Sequence, residues 1–317
     1  MAASKPPKSA STPPKALTTP PKPAGRPVVS KSKPGPVSAR PPRTFSVKSW
    51  TGAGEGEKVL LYGKSGIGKT TLAAMAPSPI FIGVDDGGRK IVNPKTGTPI
   101  QVVDGIECFQ DIRDALHQDD LWPDGCSVVL DTLTKVDSEW APAHILEHVT
   151  INGARASSFR KFGWDGDRHT LDFIRLLLVD LDAHARKGHN VILLCQQGQI
   201  RVANSEGADY LEDGPFLQHR NDCSVREEVK QWSDHVLRIG YLDMTVHVEK
   251  GAKAGKVVSQ GTERAIFSAG AQHFTAKTRP VNGHPLPAVI GFEDETDDSL
   301  MQFLFHGATV GEGGDAA

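Results

Sequence analysis

Short, almost wholly apolar runs alternate along this chain with stretches in which apolar residues recur at helical spacing, which predicts strands and helices in turn. Residues 57–62 form the first such run, ended by Gly63, and residues 70–75 then suit a helix that stops near Pro77. Residues 79–84, 127–130, 190–195 and 235–240 predict four more strands. Between residues 170 and 187, Leu171, Ile174, Leu178 and Leu181 mark one helical face, and Gly188 supplies the stop. Strands that are apolar throughout, rather than at alternate positions, predict an α/β fold with a mainly parallel sheet flanked by helices on both faces. Beyond Leu242 the texture changes. Residues 244–248, 256–258 and 264–267 read as short strands joined by Gly-rich turns, a C-terminal β-hairpin extension of the sheet.

Before residue 44 this pattern is missing. Residues 1–43 hold 12 of the 22 prolines, six lysines, three arginines and no acid, a net charge of +9. The whole chain carries −2, so the remainder carries −11. Too few large apolar groups are present to offset the entropy of ordering, and residues 1–43 are predicted to be a disordered basic, Pro-rich N-terminal tail. Such a tail serves either as a tether for phosphate polymers or as a solubilising linker. The expected division is this tail, one α/β domain over residues 44–305, and a flexible tail over 306–317. No run approaches the roughly 18 apolar residues of a membrane helix, and the first residues lack the apolar core of a secretory signal. Cys108, Cys126, Cys195 and Cys223 contain no Cys-x-x-Cys pair. A cytoplasmic chain without membrane contact is expected.

Residues 63–70 read Gly-Lys-Ser-Gly-Ile-Gly-Lys-Thr, a full G-x-x-x-x-G-K-[ST] pattern between a predicted strand and a predicted helix. Glycines at 63, 66 and 68 permit backbone angles that turn amide N–H groups toward one point, and the helix start adds its positive end. Chance supplies the pattern in about one chain in a hundred of this length. Gly63, Lys64, Ser65, Gly66, Ile67, Gly68, Lys69, Thr70 and Thr71 are thus the expected nucleotide-binding residues, with Lys69 on the β- and γ-phosphates and Thr70 on Mg²⁺. Asp131, at the tip of the strand 127–130, is the second expected magnesium residue. Thr132 follows it instead of a Glu, so a base for attack by water must come from elsewhere. ATP and Mg²⁺ are the expected cofactors.

These residues resemble the RecA superfamily, and within it the phage RecA-like P-loop nucleotide-binding proteins, AAA family ATPases of the single-strand annealing recombinase type. The resemblance covers roughly residues 44–287 and is most specific at the phosphate loop. It implies a RecA-like P-loop NTPase fold and a hydrolytic carboxylate at the end of the strand after the phosphate-loop helix. The turn Asp85-Asp86-Gly87-Gly88 is similar to the Thr-Glu-Gly-Gly turn found there, with Asp86 in the Glu position and one methylene shorter; an acidic turn cap is the alternative. The run Leu-Leu-Cys-Gln ending at Gln196 resembles the strand whose terminal Gln senses the γ-phosphate, with Gln197 beside it. Lys277 and Arg279 resemble the Lys-x-Arg pair that RecA-like hexamers and filaments project into the next subunit's nucleotide, where fixed cations stabilise developing charge. Taken alone, they are a solvated charge pair. The implied partners are single-stranded DNA, further copies of the chain in a ring or filament, and a single-strand binding protein.

Two polar stretches are candidates for nucleic acid. Residues 155–164 lie where RecA-like proteins place their first DNA loop and hold Arg155, Arg160 and Lys161 with Phe159, Phe162 and Trp164, and no acid. That composition suits phosphate contact and base stacking; a surface loop anchored by Phe159 and Trp164 is the alternative. Residues 198–231 read as a polar loop with Arg201, His219, Arg220 and Arg226 beside Tyr210, Phe216 and the adjoining Trp232, diluted by Glu206, Asp209, Glu212, Asp213, Glu227 and Glu228. His144 to His148 fit the inverted zinc motif H-x-x-E-H, but no third ligand is evident and zinc is not expected. The sequence predicts an ATP-binding, ATP-hydrolysing RecA-like protein acting on DNA in phage recombination or replication in the host cytoplasm. A nucleotide-gated DNA-binding or assembly module with little hydrolysis, and a P-loop small-molecule kinase, are the alternatives; the kinase lacks an Arg-rich lid.

Overall fold

The computed structural model describes residue 47 and residues 54–306, apart from 85, 203–206, 221, 247–256, 282 and 293. The N-terminal tail 1–43 and residues 307–317 of the C-terminal tail lie outside the described residues, as do Asp85 and the side chain of Asp86. The chain runs β1 (Lys58–Gly63), α1 (Lys69–Ala73), β2 (Pro79–Gly83), β3 (Gln101–Val102), α2 (Phe109–His117), β4 (Ser127–Asp131), α3 (Leu133–Lys135) and α4 (Ala141–His148). A π-helical turn, Val136–Trp140, joins α3 to α4. After β5 (Thr150–Ile151) and β6 (Ala154–Arg155) come α5 (Trp164–Arg186), β7 (Asn190–Val202), β8 (Tyr210–Pro215), β9 (His219–Arg220), β10 (Cys223–Ser224) and α6 (Val225–Trp232). β11 (His235–Val246), β12 (Val257–Phe267), β13 (Val289–Gly291) and α7 (Ser299–His306) follow.

Among the described residues nine strands form one sheet in the order β13-β12-β11-β1-β7-β4-β2-β3, with β8 paired to the far part of β7. The strands from β11 to β3 are parallel, and β12 and β13 add antiparallel at one edge. Burial explains why the central strands are apolar throughout: every residue of β4 and the first six of β7 are buried, so neither face tolerates a solvated side chain. Leu171, Ile174, Leu178 and Leu181 of α5 cover one face together with α2 and α6. Leu72 of α1 and Leu300 and Leu304 of α7 cover the other. The mainly parallel, helix-flanked sheet with its C-terminal hairpin is the architecture the apolar pattern predicts.

Three elements differ from that prediction. Helix α5 begins at Trp164 rather than at residue 170; Asp165 and Asp167 in its first turn complement the positive helix end. The short strands expected beyond Leu242 are parts of two long ones, β11 and β12, with a register shift between Tyr241 and Asp243. The described residues of the segment 198–231, expected to be a loop, form a ribbon of β7 with β8, then the small hairpin β9–β10 and α6. Its polarity misleads because the polar side chains satisfy one another: the side-chain amides of Gln197 and Gln199 both donate to the Asp213 carboxylate, at 2.8 Å each.

Candidate functional site

Parallel register gathers the C-terminal ends of β1, β7, β4 and β2 at one edge of the sheet. Gly63 lies level with Gln196, and Asp131 lies level with Leu194 and Gly83. This carboxyl edge is where open α/β sheets bind ligands. The loop leaving β1 is crowded: a Cβ on Gly63 would stand 2.6 Å from the carbonyl oxygen of Ile239, so glycine lets β11 run close beside it. Gly66 and Gly68 take φ of +74° and +108°, the left-handed region that glycine enters without strain. Lys69 then opens α1.

Lys69 is 6 % exposed. Its Nζ donates to the carbonyls of Gly63 and Lys64, at 3.0 Å each, and to Oε1 of Gln196 at 3.2 Å. The Thr70 hydroxyl donates to Oδ2 of the buried Asp131 at 2.7 Å. A hydroxyl and a carboxylate so placed are hard oxygen donors, the kind Mg²⁺ takes beside phosphate oxygens, and the donor set fits that ion. Gln196 is fixed on three sides. Besides its contact with Lys69, its N–H donates to the Thr134 hydroxyl at 3.0 Å, and its carbonyl accepts the Phe216 N–H at 2.7 Å. Lys69, Thr70, Asp131 and Gln196 are thus brought together.

One cation at this edge escaped the sequence reading. Arg264, on β12, donates from Nη1 to the Ile67 carbonyl at 3.3 Å, and a Cβ on Gly68 would come 2.9 Å from that nitrogen. A cavity of about 160 Å³, lined by Gly68, Thr71, Leu72, Arg264 and Phe292, opens beside α1. No spacing rule connects residue 264 to residue 68; the sheet order alone does. The backbone of Asp86 lies in a 3-10 turn, Asp86–Lys90, beyond β2.

Lys277 and Arg279 are not part of this group. The backbone of Lys277 exchanges hydrogen bonds with Val236, at 2.7 and 3.0 Å, three residues before Ile239, which is level with Gly63. At about 3.3 Å per residue, that is ~10 Å toward the opposite edge of the sheet. Arg279 pairs with Oδ1 of Asp234 at 2.7 Å, and Oδ2 of Asp234 accepts the Lys58 N–H at the start of β1. Partial burial, then the charge of Arg279, hold Lys277 below the usual lysine range.

Of the stretch 155–164, Arg155, Arg160 and Lys161 are exposed, Phe159 is half-buried, and the buried anchor is Phe162. Trp164 is 67 % exposed, and the Arg220 guanidinium stands 5.5 Å from its ring centroid. Arg226 does not reach the surface, contrary to its reading as a nucleic-acid contact: it is 1 % exposed and pairs with Glu212 at 3.1 Å. Asp209 pairs with Arg201 and Asp213 with Arg238, so acids that dilute this segment's charge are internal partners of arginines. His144 and His148 stack at 4.1 Å between ring centroids, and among the described residues no group of three His, Cys, Asp or Glu is arranged to hold a metal. Among the same residues no helix is long and apolar enough to cross a membrane.

A protein-family model described as an AAA domain matches residues 55–280. No curated protein matches the chain.

Proposed function

This chain belongs to the AAA domain family of P-loop NTPases, and on that premise we propose that it hydrolyses ATP and couples the step to single-stranded DNA in phage recombination or replication. Magnesium-bound ATP supplies the phosphoryl group and the cation that offsets its charge. The amides of residues 63–71 and the Lys69 ammonium hold the phosphates, Thr70 and Asp131 hold the metal, and Asp86 orients the attacking water. Lys277 and Arg279 lie too far along the sheet to serve their own loop. In this reading they act on the nucleotide of an adjoining copy, in a ring or filament in the host cytoplasm, where a single-strand binding protein is the natural companion.

The observation that carries the reading is the placement of Gln196. Its side chain touches Lys69, while its peptide is bonded to Thr134 and Phe216, on the two segments that lead into the exposed cations and aromatics. A shift of either segment is felt at the phosphate-binding lysine. ATP turnover of the full chain, with and without single-stranded DNA, tests this. Stimulation by DNA is expected, and Lys69→Ala should lower turnover by ~100-fold or more. Native-rate hydrolysis by that variant overturns the mechanism. Turnover indifferent to DNA across a salt series favours the nucleotide-gated module, and phosphate transfer to a nucleoside favours the kinase.

A further inference from the structure

A cavity of about 540 Å³ lies between the π-turn joining α3 to α4, the 3-10 turn Phe159–Phe162, the part of β7 beyond Gln197, and the chain leaving β8. Its size suits a ligand of nucleotide dimensions. Two buried polar atoms on residues of its lining, Oδ1 of Asp137 and Nε of Arg226, have no hydrogen-bond partner among the described residues. Asp137 is 6 % exposed, and its other oxygen accepts the Gln218 N–H at 2.7 Å. An unmatched buried carboxylate oxygen is costly, and π-turns such as the one that seats it recur at functional sites. Phe216, 58 % exposed, also lines the cavity. Its ring lies against Gly198, where a Cβ would come within 2.7 Å of it. His219 and Arg220 line this cavity and also a neighbouring depression of about 560 Å³ that holds Trp164.

We propose that the cavity receives one nucleobase of single-stranded DNA, stacked on Phe216 and held at its polar edge by Asp137, while the next base rests on Trp164 and Arg220 holds the phosphate between them. The assignment rests on the DNA-coupled reading above and specifies where the strand is gripped. Arg220 is half-exposed and pairs through Nε with Asp167 at 2.6 Å, so a phosphate is held by its outward-facing Nη groups; two aromatic floors with this cation between them suit consecutive bases of a strand better than one isolated nucleotide. The edge of every base carries hydrogen-bonding groups; the unmatched oxygen is buried behind the cavity wall, so meeting one requires the Asp137 side chain to turn toward the cavity. Burial, with the nearby charge of Asp167 adding to it, pushes the Asp137 carboxyl up to about 7, so near neutrality it can accept from a base or donate to one. The Phe216 N–H is bonded to the Gln196 carbonyl, which carries the seating of a base toward Lys69.

Fluorescence anisotropy with the full chain and two labelled probes decides the matter: an oligothymidylate, and an oligonucleotide of equal length built of abasic residues. Wild-type protein should bind the first about tenfold or more tightly than the second. Phe216→Ala should remove most of that ratio by weakening oligothymidylate alone, and Gly198→Ala, which displaces the ring, should do the same. Melting temperatures verify that both variants are folded. An unchanged ratio in both variants overturns the cavity assignment while leaving DNA coupling intact, provided wild-type turnover responds to the oligothymidylate. Binding of thymidine monophosphate as tight as that of the strand also overturns it, in favour of a small-molecule site. If wild-type protein binds neither probe, the DNA-coupled reading fails and the assignment falls with it.

Discussion

At the scale of single residues, Asp137 illustrates what burial does. Desolvation under the π-turn raises its carboxyl from 3.8 to about 7, against the Gln218 N–H, which pulls it down, and with Asp167, which pushes it further up. The fold therefore favours the neutral acid, while the unfolded chain ionises near the ordinary value. Between about pH 4 and pH 7 the native state holds the extra proton, and this group's contribution to stability falls as pH rises through that window. His144, His184 and His189 are all depressed by burial and act in the opposite sense, adding stability as pH climbs through the ordinary histidine range. The informative quantity is accordingly the difference between wild type and Asp137→Asn, which keeps an acceptor for Gln218. In urea unfolding, the variant should match wild type near pH 5 and exceed it at pH 8 by on the order of 2 kcal/mol. A difference that does not change with pH would show that Asp137 is not the buried acid described.

At the scale of elements, the ribbon of β7 and β8 depends on a cation placed under glycine. The Arg226 guanidinium reaches from α6 to Glu212, and a Cβ on Gly214 would sit 2.0 Å from its Nη2. Removing the cation leaves the one-fifth-exposed Glu212 without it, and because that partner is partly solvated the loss lies below the range for fully buried pairs. Arg226→Ala should lower unfolding free energy by about 2–3 kcal/mol, Gly214→Ala should do nearly as much by expelling the same side chain, and Arg226→Met should lose less because it refills the space. Losses below ~0.5 kcal/mol for Arg226→Ala would show that Glu212 needs no partner. The same ribbon shows what sequence can carry. The strands 58–63, 127–131 and 190–195 are legible because both faces are buried, which forces apolar runs, and the phosphate loop is legible because glycines and a lysine must fall at fixed spacing. The ribbon beyond Gln196 is not, since Gln197, Gln199 and Asp213 spell a solvated loop until register puts them opposite one another. Arg264 over Ile67, and Lys277 beside Val236, depend on strand order, which no local pattern encodes.

At the scale of the whole molecule, the charge division of +9 on residues 1–43 against −11 on the rest governs how a DNA strand would be drawn in. The acidic remainder gives no long-range attraction for a polyanion, and several of its arginines are spent on internal acids: Arg226 on Glu212, Arg238 on Asp213, Arg279 on Asp234. The exposed cations Arg155, Arg160 and Lys161, with Arg220, which pairs with Asp167 at 2.6 Å, are few and local, so nine further charges on the N-terminal segment would dominate counterion release. Deleting residues 1–43 should weaken oligonucleotide binding and flatten the plot of log affinity against log salt, by up to about six in slope if every charge engages a single strand. ATP turnover without DNA should persist, because Lys69, Thr70 and Asp131 lie outside the deleted segment. The deletion and Phe216→Ala then separate cleanly. The first should alter salt dependence equally for oligothymidylate and abasic probes, since both carry the same phosphates; the second should alter the ratio between the probes and leave the salt slope alone, since a phenyl ring releases no ions. An unchanged slope after deletion would make residues 1–43 a linker and leave the attraction to Arg155, Arg160, Lys161 and Arg220, whose replacement by Ala should then reduce the slope instead.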